Sequence, residues 1–240
     1  MPLPSGLVLP AGGATLSEVD SKRLLSAFGI AVTREVVVPA GADPLTAARE
    51  LKPPFAVKVV SPDIAHKSDI GGVRLDVGAG AELATAVGDV TRRARAAVPT
   101  ARIDGVLIAE MAHGLEVLIG VVNDASFGPT VALGLGGVMT EVMKDITYRI
   151  APFDIETARE MIAELRAAPL FRGHRGRPPA DAEALAELLV QVAGLAWTLR
   201  DRLAELDVNP VFVGATGQGV VAADALAIVK AVRCGEESAT

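Results

Sequence analysis

The sequence predicts a mixed fold of helices and strands, of the α/β or α+β class. Short runs of β-branched residues alternate along the chain with longer stretches whose apolar residues recur at helical spacing. The chain has 240 residues and 50% hydrophobic content, which is sufficient for one large domain or for two lobes around a cleft. We therefore expect a substantial buried core.

The first half of the chain contains most of the predicted strands. Ser17 is a suitable N-cap for the first helix, and Gly29 follows its last turn. The patterns predict, in order, a helix at 16–28, a strand at 32–38, a short helix at 44–51, a strand at 55–60, a polar loop at 61–72, a strand at 73–77, a helix at 81–98, and strands at 105–111 and 116–122.

The second half contains a glycine-rich stretch and a long amphipathic helix. Leucines and a valine between Leu185 and Leu203 recur at helical spacing and define one buried helix face. The patterns predict, in order, a glycine-rich segment at 129–139, a loop to Pro152, a helix at 155–165, a basic loop at 172–179, a helix at 185–203, and strands at 206–213 and 219–223.

Composition argues against several functional classes. A net charge of -6, a pI near 5.2 and an aromatic content of 3% are unfavourable for nucleic-acid binding. No stretch reaches the roughly 18 apolar residues of a membrane span, and Met1 to Pro10 lacks the basic start of a signal peptide. The single cysteine, Cys234, cannot form an internal disulfide. We expect a soluble cytoplasmic protein with neither nucleic-acid nor membrane partners.

Lys58 is the first candidate for a functional side chain. It lies in the predicted strand 55–60, where alternation places it on one face with Ala56 and Val60. A compact ammonium group suits phosphate oxygens, so Lys58 is a candidate for binding nucleotide phosphates. A lysine on an edge strand that faces solvent explains the same pattern equally well.

His66 lies in the polar loop 61–72, directly after that strand. Functional residues concentrate in such loops, and Gly71 and Gly72 allow close approach of the backbone. A neutral imidazole is a nitrogen nucleophile near neutral pH, and the neighbouring Lys67 could meet phosphate. His66 is therefore a candidate nucleophile, although an isolated loop histidine is more often a surface residue.

Further motifs follow the histidine loop in a fixed order. They are Phe127-Gly128-Pro129, Gly134-Leu135-Gly136-Gly137, Glu141-Val142, Lys144-Asp145, Phe171-Arg172-Gly173, Arg175-Gly176, Glu205-Leu206-Asp207-Val208-Asn209-Pro210 and Asp224. Together with Lys58 and the His66 loop, they resemble the ATP-grasp module, or beta subunit, of ADP-forming acyl-CoA synthetases in the succinyl-CoA synthetase superfamily. The resemblance extends from about Leu16 to Val229.

The resemblance implies a two-lobed ATP-grasp fold with the nucleotide in the cleft between the lobes. Residues 1–240 would form a single ATP-grasp domain. Within it, 31–112 would form a small nested lobe, and 1–30 with 113–240 would form the large lobe.

The resemblance also implies roles in nucleotide binding. Lys58 would contact the phosphates, and Glu116 would bind the ribose hydroxyls. Glu110 would hold the adenine amino group beside backbone groups of Met111 and Ala112. Carboxylates accept hydrogen bonds from amino and hydroxyl donors, but exposed acids at strand ends are a competing explanation. The turn from Met111 to Glu116 is shorter than usual in this family, which makes the ribose role the least direct assignment.

Asn209 and Asp224 resemble the magnesium ligands of the superfamily, which uses an Asn before Pro and an Asp on the following strand. Mg²⁺ prefers oxygen ligands, and it often takes only one or two protein groups together with nucleotide phosphates and waters. Asn209 alone could be a turn residue before Pro210, and Asp224 alone could be a helix N-cap. Their joint spacing favours a metal site.

By the same resemblance, His66 corresponds to the histidine that carries phosphate. A charged phosphohistidine cannot cross an apolar interior cheaply, so a mobile loop is the expected carrier. The implied reaction converts acyl-CoA, phosphate and ADP reversibly into free acid, CoA and ATP, with Mg²⁺ and ATP or ADP as cofactors. Nothing in the sequence resembles a CoA-binding segment. The implied partner is therefore a CoA-binding alpha subunit or domain, in a hetero-oligomer or a longer chain.

Two other functions are compatible with an ATP-grasp module. One is a stand-alone carboxylate ligase that makes an acyl phosphate directly, and the His66 loop argues against it. The other is a nucleotide-binding subunit without chemistry, which the joint presence of Lys58, His66, Asn209 and Asp224 disfavours. His113 and His174 lie in a turn and in the basic loop, and we expect both to be surface residues.

Overall fold

The computed structural model describes residues 8–64, 67–137, 145–173, 176 and 178–231. The helices are α1 (Glu18–Ala27), α2 (Pro44–Ala47), α3 (Ala81–Ala97), α4 (Ile155–Glu164) and α5 (Ala182–Thr198), with a 3₁₀ helix at Ala168–Arg172. The strands are β1 (Ala14–Thr15), β2 (Glu35–Pro39), β3 (Phe55–Val60), β4 (Val73–Val77), β5 (Gly105–Glu110), β6 (Leu115–Asp124), β7 (Gly128–Leu135), β8 (Ile146–Ile150), β9 (Leu203–Val213), β10 (Val220–Ala222) and β11 (Ala225–Val229). The predicted mixture of helices and strands is confirmed. Within the described ranges, no helix has both the length and the apolarity of a membrane span.

The chain divides into two compact units. The larger unit contains Met1–Val32 and His113–Thr240, and the smaller unit contains Thr33–Ala112. Each unit has its own antiparallel sheet and its own apolar core.

The sheet of the larger unit has the strand order β1-β11-β9-β6-β7-β8 over the described residues, with β10 beside β9. Its strands pair antiparallel, so residues directly opposite each other share a face. Val117 and Ile119 of β6 and Leu206 and Val208 of β9 are buried on one face. That face packs against α1, α4 and α5, and the intervening residues lie on the other, open face.

Helix α5 packs along this sheet as the leucine stripe predicts. Leu185, Leu189 and Val192 are buried along one face of the helix. The helix ends at Thr198, so the predicted end at residue 203 was wrong. Leu203 belongs to β9 and continues the apolar spacing only because it is buried in the same core from a different element.

Asp181 joins the start of α5 to the turn between β9 and β10. One carboxylate oxygen accepts from the N–H of Ala184 at 3.3 Å, and the other accepts from Gly217 at 2.8 Å and from Gly219 at 3.0 Å. These hydrogen bonds, that of Gly219 first, lower the pKa of Asp181 below its ordinary value against the opposing effect of burial. The ionised carboxylate therefore ties this turn to the helix.

Asp145 has a similar structural role, because it binds the turn that follows α4. Its buried carboxylate accepts from the backbone N–H groups of Arg166 at 2.9 Å and Ala167 at 2.8 Å. The Lys144-Asp145 motif therefore contains a residue that fixes the turn before the 3₁₀ helix. Lys144 itself lies outside the described residues.

Strands β1, β8 and β11 of the larger sheet were not predicted. Strand β8 lies in the segment predicted as a loop, yet it pairs with β7. The side chains of Tyr148 and Ile150 in β8 are 58% and 51% exposed. The large apolar residues of this strand therefore do not form the buried face by which a strand is predicted from sequence. Strand β11 follows the predicted final strand and pairs with β9 and β1.

The sheet of the smaller unit has the strand order β2-β5-β3-β4. Phe55 and Val57 of β3 and Ile108 of β5 are buried in a cluster with Leu83 of α3. One face of this sheet therefore forms the core of the unit.

Replacing Asp181 by Ala should lower the free energy of unfolding by about 2–3 kcal/mol near pH 7, because three backbone N–H groups lose their acceptor. The pKa of Asp181 is lowered in the folded protein, so its contribution is present above the ordinary carboxyl pKa and is lost as the pH falls through the folded pKa. Urea unfolding at neutral and at acidic pH measures this difference. Asp181→Asn, which keeps an oxygen without the charge, should be intermediate. If the free energy of unfolding of Asp181→Ala were lower than that of wild type by the same amount at both pH values, the role of the charge would be contradicted.

Candidate functional site

Three of the sequence-predicted site residues lie on the open face of the larger sheet. Glu116 alternates with the buried Val117 in β6, and Asn209 follows the buried Val208 in β9. Asp224 immediately precedes β11, whose first residue, Ala225, is buried. All three candidates therefore point away from the helices of the core.

Asn209 and Asp224 lie directly opposite each other. The register pairs Val208 with Ala225, and the N–H of Asn209 donates to the carbonyl of Asp224 at 3.2 Å. Opposite residues of an antiparallel pair share a face with their Cβ atoms roughly 5 Å apart. The two oxygen-bearing side chains that the sequence separates are thus neighbours.

Asp207 is a candidate that the sequence reasoning did not single out. It lies on the same face as Asn209, two residues earlier in β9, and is opposite Leu226. Partial removal from water, and then the nearby Asp224 carboxylate, raise the pKa of Asp207 above its ordinary value. The alternation of Asp207 and Asn209 with buried Leu206 and Val208 was the available signal.

The open face also has a shallow depression of about 240 Å³. Asp207 and Glu205 supply its acidic side chains, and Gly120 leaves room in the middle strand. The polar cluster is thus accessible on this face rather than sealed within the sheet.

The glycine-rich stretch at 134–137 packs against Glu116. The N–H of Gly136 donates to the Glu116 carbonyl at 2.8 Å. A Cβ on Gly136 would lie 3.0 Å from the Cβ of Glu116, and one on Gly137, whose φ is +73°, would lie 3.2 Å from its carboxylate. The glycines therefore allow the chain to pass close beside an exposed acid.

In the smaller unit, Lys58 lies on the face of β3 that does not contact α3. Phe55, Val57 and Val59 alternate on the core face, whereas Lys58 shares the other face with Ala56. Lys58 is half-buried and is paired with Leu107 of β5 and Val73 of β4. It is thus in a central strand, which excludes the edge-strand explanation.

Glu110, Met111 and Ala112 end the smaller unit. Glu110 is the last residue of β5, and its carboxylate accepts from Arg34 at 3.0 Å and from the N–H of Lys52 at 2.9 Å. Met111 donates its N–H to the carbonyl of Pro54 at 3.0 Å. Arg34 was not predicted as a functional residue.

His66 lies outside the described residues, as does His174, whereas His113 is exposed. Both described ends of the histidine loop are held by contacts. Asp63 accepts from the N–H of Arg102 at 2.7 Å, and Ile64 is buried in a small cluster with Val59.

At the other end of the loop, the N–H of Gly72 donates to the carbonyl of Lys67 at 2.8 Å. A Cβ on Gly72 would lie 2.9 Å from the side chain of Val59. Gly71 has a φ of +66°, a conformation that favours glycine. These requirements explain the glycine pair before β4.

The donors around Asp224 fit a hard divalent cation. Asn209, Asp224 and Asp207 offer only oxygen atoms, which Mg²⁺ prefers, and a cation would relieve the repulsion between the two carboxylates. Among the described residues, no three His, Cys, Asp or Glu side chains converge as a metal-binding group. A site with few protein ligands is the arrangement typical of Mg²⁺ bound with nucleotide phosphates.

Residues 7–229 match the model of a family described as the ATP-grasp domain. The chain belongs to this ATP-grasp family. Subunit beta of the ADP-forming acetate–CoA ligase II of Pyrococcus furiosus is 41% identical over 194 residues, which are 80% of this chain and 82% of that subunit. The ADP-forming acetate–CoA ligase I of Archaeoglobus fulgidus is 38% identical over 79% of this chain but only 27% of that relative. The ATP-grasp chain thus spans most of one relative and about a quarter of the other.

Solved structures confirm the ATP-grasp fold. The dinucleotide forming acetyl-coenzyme A synthetase 1 of Ca. Korarchaeum cryptofilum, in complex with coenzyme A, Ca-AMPCP and HgCl+, matches with a TM-score of 0.85 and 35% identity over 90% of this chain and 93% of that one. Another structure of that synthetase contains coenzyme A and Mg-AMPPCP, with its phosphohistidine segment pointing towards the nucleotide binding site. It matches with a TM-score of 0.78 and 32% identity over the same shares.

Replacing Asp207 by Asn should stabilise the metal-free protein. The pKa of Asp207 is raised in the fold, so its ionisation opposes folding fully above the folded pKa, and this cost diminishes as the pH falls through the folded pKa and is gone below the ordinary carboxyl pKa. Thermal melting in the presence of a chelator should give a higher Tm for Asp207→Asn than for wild type near neutral pH and an equal Tm in acid. Glu205→Gln, on the same face of β9, is the matched control. A lower Tm for Asp207→Asn at neutral pH would contradict the repulsion.

Proposed function

We propose that this ATP-grasp chain is the nucleotide-binding part of an ADP-forming acyl-CoA synthetase. The reaction converts acyl-CoA, phosphate and ADP reversibly into the free acid, CoA and ATP. The observation that carries the proposal is the convergence of Asp207, Asn209 and Asp224 on one accessible face of the sheet. Relatives that are ADP-forming acetate–CoA ligases support the reaction type.

The proposed nucleotide ligands are a lysine, an acidic side chain and the backbone of two residues. Lys58, half-buried in a central strand, supplies a cation for the phosphates. Glu116, exposed beside the glycine-rich stretch, accepts from the ribose hydroxyls. Glu110 is the last residue of β5, and the backbone of Met111 and Ala112, directly after it, contacts the base.

Asn209 and Asp224 would hold Mg²⁺ through their side-chain oxygens, with the Asp207 carboxylate nearby on the same face. The cation supplies positive charge that stabilises the phosphates during transfer. Lys58 adds a second positive charge, and its position in the central strand β3 is part of the fold. These residues orient the nucleotide and need not change their protonation state.

His66 is the group that accepts phosphate. Its unprotonated ring nitrogen attacks the γ-phosphorus of ATP, a nitrogen–phosphorus bond forms, and the bond from that phosphorus to the leaving oxygen of ADP breaks. In the direction of ATP synthesis the same bonds exchange in reverse. A phosphohistidine formed on one module can then deliver its phosphoryl group to another.

The proposed partner is a CoA-binding alpha subunit or domain, which supplies the acyl chemistry. The relative from Pyrococcus furiosus is a beta subunit, and the Archaeoglobus fulgidus ligase extends far beyond the matched region. We propose a hetero-oligomer or a longer chain, located in the cytoplasm where nucleotides and CoA are available. The net charge of -6 is unfavourable for binding a nucleic acid.

Asn209→Ala and Asp224→Ala should each raise the Mg²⁺ concentration needed for half-maximal activity roughly tenfold, because the ion has few protein ligands to lose. Titrating Mg²⁺ at a fixed nucleotide concentration, with the partner present, measures the shift. Glu205→Ala removes a carboxylate from the same face and should behave as wild type. Unchanged magnesium dependence in both variants would place the cation elsewhere.

His66→Ala should abolish acyl-CoA turnover with the partner present while leaving nucleotide affinity nearly intact. The turnover rate should fall without a change in the nucleotide Kd, because Lys58, Glu116 and Mg²⁺ are proposed to hold the nucleotide without the histidine. Isotope incorporation from γ-labelled ATP should give an acid-labile, alkali-stable label on wild type, and calorimetry should give similar Kd values for both proteins.

His113→Ala, which removes a different histidine that is exposed in the structure, is the control and should retain the label. Normal turnover by the His66→Ala protein would refute the phosphohistidine. A direct carboxylate ligase would then be the better explanation.

A further inference from the structure

Arg34 and Glu110 form an ion pair at the end of the smaller sheet. Nη1 of Arg34 lies 3.0 Å from Oε1 of Glu110, and Nη2 donates to the carbonyl of Glu50 at 2.9 Å. The N–H of Lys52 donates to the same Glu110 oxygen at 2.9 Å. The Glu110 N–H in turn donates to the Arg34 carbonyl at 2.9 Å. The end of β5 is thus held by backbone and side-chain bonds from two segments.

The register shows on which face of the sheet this network lies. Glu110 is directly opposite Phe55, which is buried in the core of the unit. Lys58 is an odd number of residues further along β3, so its side chain projects from the other face. The Glu110 carboxylate therefore lies on the face opposite the proposed phosphate-binding lysine.

This placement assigns contact with the base to the backbone rather than to the carboxylate. A nucleotide whose phosphates meet Lys58 lies on the Lys58 face, where the Glu110 side chain does not project. Met111 and Ala112 continue the chain directly after Glu110, and the Met111 N–H is already donated to Pro54. The carbonyl of Met111 and the backbone of Ala112 are the polar groups that this strand end offers to a base.

We infer that Arg34 and Glu110 are positioning residues for the nucleotide base, an inference that rests on the proposed function. Glu110 fixes the end of β5, and Arg34 fixes Glu110, so that Met111 and Ala112 present their backbone in one geometry. An exposed ion pair alone contributes little. The Arg34 side chain is 57% exposed and the Glu110 side chain 21%, so the two backbone hydrogen bonds, rather than the ion pair alone, are what make the network rigid.

Loss of this network should weaken nucleotide binding about five- to tenfold without slowing phosphate transfer at saturation. The test compares Arg34→Ala, Arg34→Lys and Glu110→Ala in the full chain, using the calorimetric Kd for MgATP and the rate of His66 labelling at saturating MgATP. Both alanine variants should bind more weakly with a near-normal labelling rate, and Arg34→Lys should recover part of the affinity. The double alanine variant should be no weaker than the single ones, because both remove the same network.

Purine riboside triphosphate, which lacks the 6-amino group, separates positioning from direct contact. Positioning predicts that Arg34→Ala and Glu110→Ala change the ratio of ATP affinity to analogue affinity by the same factor, because both disturb the same backbone groups. A change of that ratio confined to Glu110→Ala would show that the carboxylate contacts the amino group and would overturn the inference.

Arg49→Ala is the matched control, since Arg49 pairs only loosely with the exposed Glu50 at 3.5 Å, and its Kd should stay within about twofold of wild type. Wild type that binds no MgATP would defeat the proposed function itself. Normal binding by wild type and by Arg34→Ala would defeat only the positioning role. If Arg34→Ala melts at a much lower temperature than wild type, the Kd of Arg34→Lys for MgATP decides whether Arg34 has the positioning role. A Glu110→Gln protein with the wild-type Kd and an unchanged melting temperature would also count against the network.

Discussion

The register between β9 and β11 is the constraint on which the polar site depends. Leu206 and Val208 of β9 and Ala225 and Ala227 of β11 are buried on the core face, and a slip by one residue would exchange them with the acids. A fully buried Leu or Val contributes about 1.5–3 kcal/mol, so Leu206 and Val208 together contribute about 3–6 kcal/mol, whereas two carboxylates even as close as about 4 Å near a protein surface repel by about 1–4 kcal/mol. Apolar burial therefore determines which oxygen atoms meet on the open face, and it outweighs the repulsion between them.

Most helices and strands could be predicted because the spacing of apolar residues along the sequence matches the residues that are buried in the structure. Where the spacing and the burial disagree, the prediction failed. Strand β8 exposes its large apolar residues, and Leu203 keeps helical spacing after α5 has ended. In both cases the pairing partner, rather than the local pattern, determines the structure.

The candidate site was predictable as a set of residue types but not as an arrangement. Asn209 and Asp224 could be named from their motifs, yet their juxtaposition depends on β11, which the sequence did not predict. The nearby Asp224 carboxylate adds to the raised pKa of Asp207, after the larger effect of burial. The contact between Arg34 and Glu110 joins residues 76 positions apart, so no local pattern could reveal it. Sequence reasoning thus identifies functional chemistry more readily than the contacts that hold it in place.

The histidine loop is anchored at both of its described ends. Ile64 is 6% exposed in a cluster with Val59, and the carbonyl of Lys67 accepts from the N–H of Gly72 at 2.8 Å. Exposing a buried isoleucine costs about 1.5–3 kcal/mol, so a form with Ile64 released would make up roughly one part in ten to one in a hundred of the molecules. Apolar packing holds one end and a backbone hydrogen bond holds the other, so a side-chain substitution can weaken the first anchor directly but not the second.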